Sequence, residues 1–311
     1  MKIKFFIGII LLLMLAIYSM GAVQPEIYFE MKDPVGDDFG YGTYHYPSNI
    51  AFQPYQGLFD ITMFRVLPGK NDNIYFDISF LKVTNPWAAP EGFIHQNIRI
   101  FIDTKPNQGL TVLPYRGANI KFNPKYAWEV CLRIIGWGNS QFLVLEKDYL
   151  KARVLDVKLL EDGQTIRASI PRKYTGNPLN NWRYYVLVGS YDGFGDDFFR
   201  KIAVKPGDWV IGGGIGNNLE PRIMDMLASK SGPYNQVKQL RSFDLNTGKI
   251  AMITPVGRGI GRISPWIWFA GIMILLLIIA IVYSVIKKSG HLTWFWVQPK
   301  EKDAPKCSKT I

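Results

Sequence analysis

Between Asp33 and Pro47 the chain reads DPVGDDFGYGTYHYP, with three carboxylates, three glycines and four aromatics in fifteen residues. Glycines at this density break a helix. The Asp37–Asp38 pair is foreign to a strand interior, so the stretch reads as a shaped loop. A hard cation such as calcium takes about six to eight oxygen ligands. Asp33, Asp37 and Asp38 could supply several, and Asp60 a fourth if its strand end meets the loop. The spacing is not that of an EF-hand, which would need Glu where Tyr44 stands. The competing reading is a glycine-rich turn whose aspartates accept from backbone N–H groups. Residue types alone leave calcium and turn evenly matched. The same D-x-x-G-D-D spacing returns at Asp192–Asp197. The two loops could share one ion or one rim, or be independent acidic turns.

Aromatic side chains are the second chemical resource, at 14% of the chain with nine Trp. Their faces stack on the apolar faces of pyranose rings, while neighbouring polar groups fix the hydroxyls. Trp87 lies in a Pro-flanked loop, Trp137 between two glycines, and Tyr41, Tyr44 and Tyr46 in the acidic loop. These are candidates for an exposed binding surface, against the alternative of ordinary packing. Trp128 and Trp182 sit among strand residues and are assigned to the core.

Catalysis has little support. A nucleophile–His–acid set needs a His near a nucleophile, and His45 and His95 flank no serine elbow. Two separated His and a Cys set in the apolar stretch Val130–Ile135 do not make a zinc site. That thiol, Cys131, reads as buried and inert. Gly212–Gly216 has Asn217 where a dinucleotide fingerprint needs its third glycine, so it reads as a flexible loop. Paired carboxylates of a glycosidase have no fixed sequence spacing and stay open as an alternative.

The elements that must position these groups read as β. Ile74 to Phe80 alternates with its even positions apolar. Phe59–Val66, Ile98–Ile102, Val154–Leu160, Ile166–Ile170 and Tyr184–Val188 are further short strands. Turn signals such as Pro68-Gly69-Lys70-Asn71 and Glu161-Asp162-Gly163 divide them. Many short strands with polar turns fit an antiparallel sandwich. Met224–Ser229 is the expected short helix.

The ends have a different character. Residues 1–22 read as a signal peptide: Lys2 and Lys4, a thirteen-residue apolar run from Phe5 to Ile17, then small residues before a cleavage point after Gly21 or Ala22. An uncleaved anchor is the alternative. Residues 265–286 form an uncharged apolar run of transmembrane length, with Trp266 and Trp268 at its outer edge. The tail, 287–311, holds six lysines against Glu301 and Asp303, which places it in the cytoplasm. The expectation is an all-β antiparallel sandwich outside the cell over 23–245, a linker over 246–264, and one C-terminal transmembrane helix. Net charge is +11 for the whole chain, much of it at the two ends. The body is only mildly basic and carries no nucleic-acid footprint. Cys131 and Cys307 fall on opposite sides of the membrane in this topology and cannot pair. The absence of an Asn-x-Ser/Thr sequon adds to the picture of a prokaryotic surface protein.

The acidic block is followed by Gly57-Leu58-Phe59-Asp60, Asn85-Pro86-Trp87, Asp103 closing a strand, and Trp128 with Gly136-Trp137-Gly138. Then come Ile170-Pro171, Gly189-Ser190-Tyr191-Asp192-Gly193 and Pro221-Arg222-Ile223-Met224-Asp225. Over roughly residues 26–245 this series resembles the glucodextranase C-terminal domain family. These are DOMON-like β-sandwich modules related to family-nine carbohydrate-binding modules. The resemblance implies a non-catalytic, cell-surface carbohydrate-binding module for an α-glucan or cell-wall polysaccharide. The candidate ligand-binding residues are Trp87, Trp137, Tyr44, Tyr46 and Tyr191, and the candidate calcium ligands, on residue type, are Asp33, Asp37, Asp38 and Asp60. On this reading the module is expected to stand without an attached catalytic domain, a departure from the family. The alternatives are an envelope assembly protein docking to a protein partner, and a membrane-anchored glycoside hydrolase.

Overall fold

The computed structural model describes residues 27–178, 181–257, 273–276 and 278–284. The expected signal peptide, the tail and much of the expected membrane span lie outside them. Residues 273–276 and 278–284 are helical and belong to a separate unit from the one ending at Ile260. Among the described residues no helix is long and apolar enough to cross a membrane.

Two antiparallel sheets make the first unit. One contains β1 (Phe29–Lys32), β2 (Ile61–Pro68), β3 (Asn73–Phe80), β10 (Thr165–Pro171) and β9 (Asp156–Leu159), in that spatial order. The other runs β12 (Asp225–Met226), β11 (Arg183–Ser190), β4 (Gln96–Asp103), β6 (Val130–Ile135), β7 (Gln141–Glu146) and β8 (Tyr149–Val154). Strand β3 behaves as its alternation requires: Ile74, Phe76, Ile78 and Phe80 are all buried. Tyr184 of β11 packs on Phe29 and Phe64 at ring separations of 4.8 and 5.4 Å, joining the two sheets across the core.

Strand β4 is buried at every position. Its second face is covered by β5 (Ile120–Phe122) and the Trp128 region, where Phe101 meets Phe122 at 4.6 Å and Trp128 at 5.1 Å. Trp128 and Trp182 are core residues, as expected. Cys131 is also buried, and burial pushes its thiol up to about 12, so it stays protonated and inert.

Two expectations are corrected. Met224–Ser229 is not a helix. The N–H groups of Met224 and Leu227 donate to the carbonyls of Val188 and Val186, so the segment runs along the edge of β11. The short helix is α1 (Gln236–Leu240), capped by the Asn235 side chain, which accepts from Lys238 N. Nor is the segment after 245 a free linker throughout. Residues β13 (Ala251–Ile253) pair in parallel with β5, and β14 (Val256–Gly257) pairs with the start of β11. Ala251, Ile253 and Val256 are buried there, which is why this stretch folds back on the sandwich.

Candidate functional site

Two features of the loops carry chemistry. The first is built from the acidic loop. Asp33 follows β1, Asp37 lies in the loop, Asp60 precedes β2, and Asp225 opens β12. Carboxylate oxygens of Asp33, Asp37 and Asp225 lie within 4.8 Å of one another. Asp33 Oδ1 accepts from Ala228 N at 2.9 Å, and Asp225 Oδ2 from Ile61 N at 2.6 Å. Asp60 Oδ2 accepts from Gly36 N at 2.8 Å. That leaves Asp33 Oδ2, Asp37 Oδ1 and Asp60 Oδ1 buried with no hydrogen-bond partner. No Lys or Arg among the described residues pairs with any of the four.

Burial, with neighbouring carboxylates adding, lifts the Asp33 carboxyl to about 9, Asp60 to about 7 and Asp37 to about 6. Fully enclosed Asp225 is also pushed well above the ordinary carboxylate range. Calcium–oxygen distances of about 2.3–2.6 Å put ligands on opposite sides of one ion up to about 5 Å apart. The spread of the three carboxylates fits that span. Asp38 is not part of the group. Its Oδ2 accepts from Gly57 N and from the Tyr46 hydroxyl, so that oxygen already has partners, although burial still lifts the carboxyl above its ordinary range. Asp60 stands beside the cluster with one oxygen free.

The loop's backbone is fixed by its neighbours. Gln236 of α1 donates to the carbonyls of Asp37 and Gly40. Gly40 has φ +60°, and a Cβ there would meet the Tyr44 ring at 2.2 Å. Tyr44 and Tyr46, expected to bind ligand, are instead 1% and 7% exposed. Their hydroxyls donate to Pro221 O and Asp38, and no ring face is open to a ligand.

The second feature is a cleft of about 480 Å³. It brings together three of the expected ligand residues, Trp87, Trp137 and Tyr191, with Trp209, Phe194 and Arg200. Trp87 is 52% exposed and packs against Trp209 at 5.8 Å. The Asn85 side chain clamps the Trp87 turn by bonding both N and O of Ala89. Trp137 lies nearly parallel to Tyr191, 6.3 Å between centroids and 22° between planes. Its preceding Gly136 is obligatory, since a Cβ would fall 1.7 Å from Phe93 O. Tyr191 in turn stacks on Phe198 at 5.8 Å.

Arg200 ties the two walls. Its Nη1 donates to Trp209 O, its Nη2 to Tyr191 O and its Nε to Ser190 Oγ. Its guanidinium also lies over Phe52 and Trp209. Asp192 is the carboxylate in the wall, and a fully exposed Phe194 stands at the rim. The second acidic loop therefore supplies the cleft and does not join the carboxylate cluster. Its Asp197 is held instead by Arg99 and Arg133.

Sequence reasoning missed Trp209, Phe194, Arg200 and Asp225. Trp209 and Phe194 carry a signal like that of Trp137, an aromatic close to glycine in a loop: Gly207-Asp208-Trp209 and Gly193-Phe194-Gly195. Asp225 and Arg200 have no such mark, because only the tertiary fold brings them to their places.

An antiparallel sandwich with an aromatic-walled cleft among its loops defines the class of binding modules. Within that class, the chain matches the family described as the C-terminal, SLH-like binding module of glucodextranase over residues 28–255, and it belongs to that family. No curated protein matches the chain. Among solved structures it is similar to a carbohydrate binding module family 9 from Caldicellulosiruptor kristjanssonii in complex with cellotriose. Identity is 14% over 65% of this chain and 80% of that one, with a TM-score of 0.24.

Among the described groups lining the cleft, His95 has a shift that bears on stability in mildly acidic solution. His95, 3% exposed, contacts Ala51 O through Nε2, and burial, with Arg200 adding, lowers it to about 4. An unfolded His takes up its proton near 6.5 and the folded one does not. Stability attributable to His95 is therefore complete above pH 6.5 and is lost as pH falls toward 4. The full loss is about 3 kcal/mol. The buried carboxylates act in the opposite sense over this range, so the comparison is with His95→Gln. Urea denaturation at pH 6.5 and 4.5 is expected to show the wild type losing more stability than the variant. Parallel losses would contradict the assignment.

Proposed function

We propose that the chain is an exported, membrane-held, non-catalytic carbohydrate-binding module that presents its aromatic cleft to a glucan or a cell-wall polysaccharide. The observation that carries this reading is the cleft. Large aromatic faces stand open to solvent there, and Arg200, Asn85 and the packing of Gly136 hold them in place. Indole and phenol faces presented this way suit the flat apolar faces of sugar rings. Membership of a binding-module family supports the same reading. Glycoside hydrolysis uses two carboxyl groups, and among the described lining residues the cleft has Asp192 alone, which favours binding over catalysis. The exported location and membrane attachment rest on the sequence of residues 1–22 and 265–286.

Calcium belongs to this proposal as a structural ion held by Asp33, Asp37 and Asp225, with Asp60 beside them. The three buried, partnerless carboxylate oxygens support it. An ion there would neutralise like charges that are otherwise crowded in a low-dielectric setting.

Two measurements test the proposal. A glycan array probed with the full-length chain in detergent is expected to find a glucan or wall-derived polysaccharide ligand. Trp87→Ala is then expected to weaken binding by about 1–3 kcal/mol, by analogy with base stacking on aromatics, with an unchanged melting temperature. A ligand that binds Trp87→Ala as well as wild type would remove the cleft from the account.

For the ion, a hundredfold excess of calcium over Kd adds about 2.7 kcal/mol, a shift of roughly 5–10 °C for a domain of this size. The chain is expected to melt that much lower in chelator. Asp33→Asn is expected to erase the difference while melting no lower than wild type in chelator. Equal melting in both conditions, with no metal in the purified protein, would leave the cluster as a network of protonated carboxyls.

A further inference from the structure

On the far side of the Asp192–Asp197 loop from the aromatic cleft is a larger groove, about 620 Å³. Its lining includes Tyr115, Arg116, Lys121, Asn218, Arg222 and Asp196. Arg116 comes from the loop before β5, Lys121 from β5 itself, and Arg222 from the segment leading into β12. Three cations thus meet one carboxylate. Among the described residues, neither Arg116 nor Lys121 has an ion-pair partner. Arg222 reaches only Asp196, at 3.4 Å, and Asp196 is two-thirds exposed. An exposed pair at that distance holds little energy and yields readily to a better anion. Tyr115 is 42% exposed beside them and offers a flat face.

The groove and the aromatic cleft draw residues from the same loop. Asp192 and Phe194 line one and Asp196 lines the other, on a single short loop. A continuous stack links the two: Tyr191 to Phe198 at 5.8 Å, Phe198 to the Arg133 guanidinium at 5.2 Å, and Arg133 to Tyr115 at 5.7 Å. Gly117 is pressed so closely under the loop that a Cβ would meet Asp196 O at 2.5 Å, which fastens Arg116 beside it. A polymer seated in the cleft that continues past the loop therefore enters a positively charged groove with Tyr115 in its lining.

We propose that this groove is a second subsite, and that it takes an acidic substituent, a carboxylate or a phosphate, on the glycan held in the aromatic cleft. The proposal rests on the carbohydrate reading above and sharpens it. The polysaccharide is anionic, stacking in the cleft fixes the chain, and Arg116, Lys121 and Arg222 select its charge. Arg222 would leave Asp196 to bind the ligand, since a guanidinium fork matches carboxylate and phosphate geometry better than a single 3.4 Å contact does.

The test uses the full-length chain in detergent and matched pairs of glycans on one backbone. Oligogalacturonate against its methyl ester isolates the carboxylate, and phosphorylated against unphosphorylated maltooligosaccharide isolates the phosphate. The expected result is at least tenfold tighter binding to the acidic member of one pair at low salt, shrinking as salt screens the groove. Which pair responds identifies the source of the charge. Arg116→Ala with Lys121→Ala, both surface changes, is expected to bring the acidic member down to the level of its neutral counterpart and leave the neutral one unchanged. Trp87→Ala should weaken both.

Equal, salt-insensitive binding of both members would overturn the proposal while leaving the carbohydrate reading intact. So would an acid preference that survives the double variant. Displacement of the acidic glycan by an oligonucleotide of equal charge, at equal concentration, would overturn it as well, by showing unselective polyanion binding. Binding to neither member of either pair, with no ligand found on the array, would remove the carbohydrate reading and this proposal together.

Discussion

A charge taken out of water must meet an opposite charge or give up its ionisation, and this constraint organises the module. Some of its buried charges obey by pairing. Arg99, 2% exposed, meets Asp197 at 2.9 Å, Asp77 takes Arg167 through two bonds of 2.7 Å, and Asp103 takes Arg183. The carboxylates under the acidic loop have no such partner. They also hold strategic backbone groups: Asp33 bonds Ala228 beyond β12, and Asp225 of β12 bonds the first residue of β2. Each therefore reaches from one sheet to the other. Whatever neutralises this cluster also closes that end of the sandwich.

The same rigidity serves the cleft. Its aromatics sit on loops, where side chains are normally free to move, and ordering them on binding would cost affinity. Here the cost is met during folding. Arg200 bonds the carbonyls behind both Trp209 and Tyr191, and Asn85 closes the turn that carries Trp87. A surface fixed in advance can recognise the flat apolar face of a ligand with few directional contacts. The loop at Asp192–Asp197 joins the two themes, since Asp197 anchors it through Arg99 and Arg133 while Asp192 and Phe194 face the cleft.

Much of the architecture was legible in the sequence, and the failures are instructive. The alternation of Ile74–Phe80 revealed β3 because one face of that strand packs on the core and Asn73, Tyr75 and Ser79 do not. Strands β4 and β11 were found as apolar runs, though that β4 is covered on both faces could not be read from periodicity. The Met224–Ser229 segment reads as apolar and helix-like, yet it is a β edge because β11 offers Val186 and Val188 carbonyls to pair with. Trp87 and Trp137 were legible as loop residues, since prolines and glycines around them mark turns. Tyr44 and Tyr46 stand among similar neighbours, but the loop folds inward and buries them. Asp38 and Asp225 show the limit most clearly. They differ only in what the fold sets beside them, the Tyr46 hydroxyl and Gly57 N–H for one and a second carboxylate pair for the other.

The central claim is that this module meets its ligand through the aromatic cleft, and amide hydrogen exchange on the full-length chain tests it most directly. Exchange would be compared with and without the polysaccharide found on the array. Ligand-dependent protection is predicted in the turns around residues 84–90, 136–138, 191–195 and 207–210, whose side chains line the cleft or set its walls. Protection confined to another surface, such as the exposed β8 edge, with these turns exchanging at unchanged rates, would contradict the account.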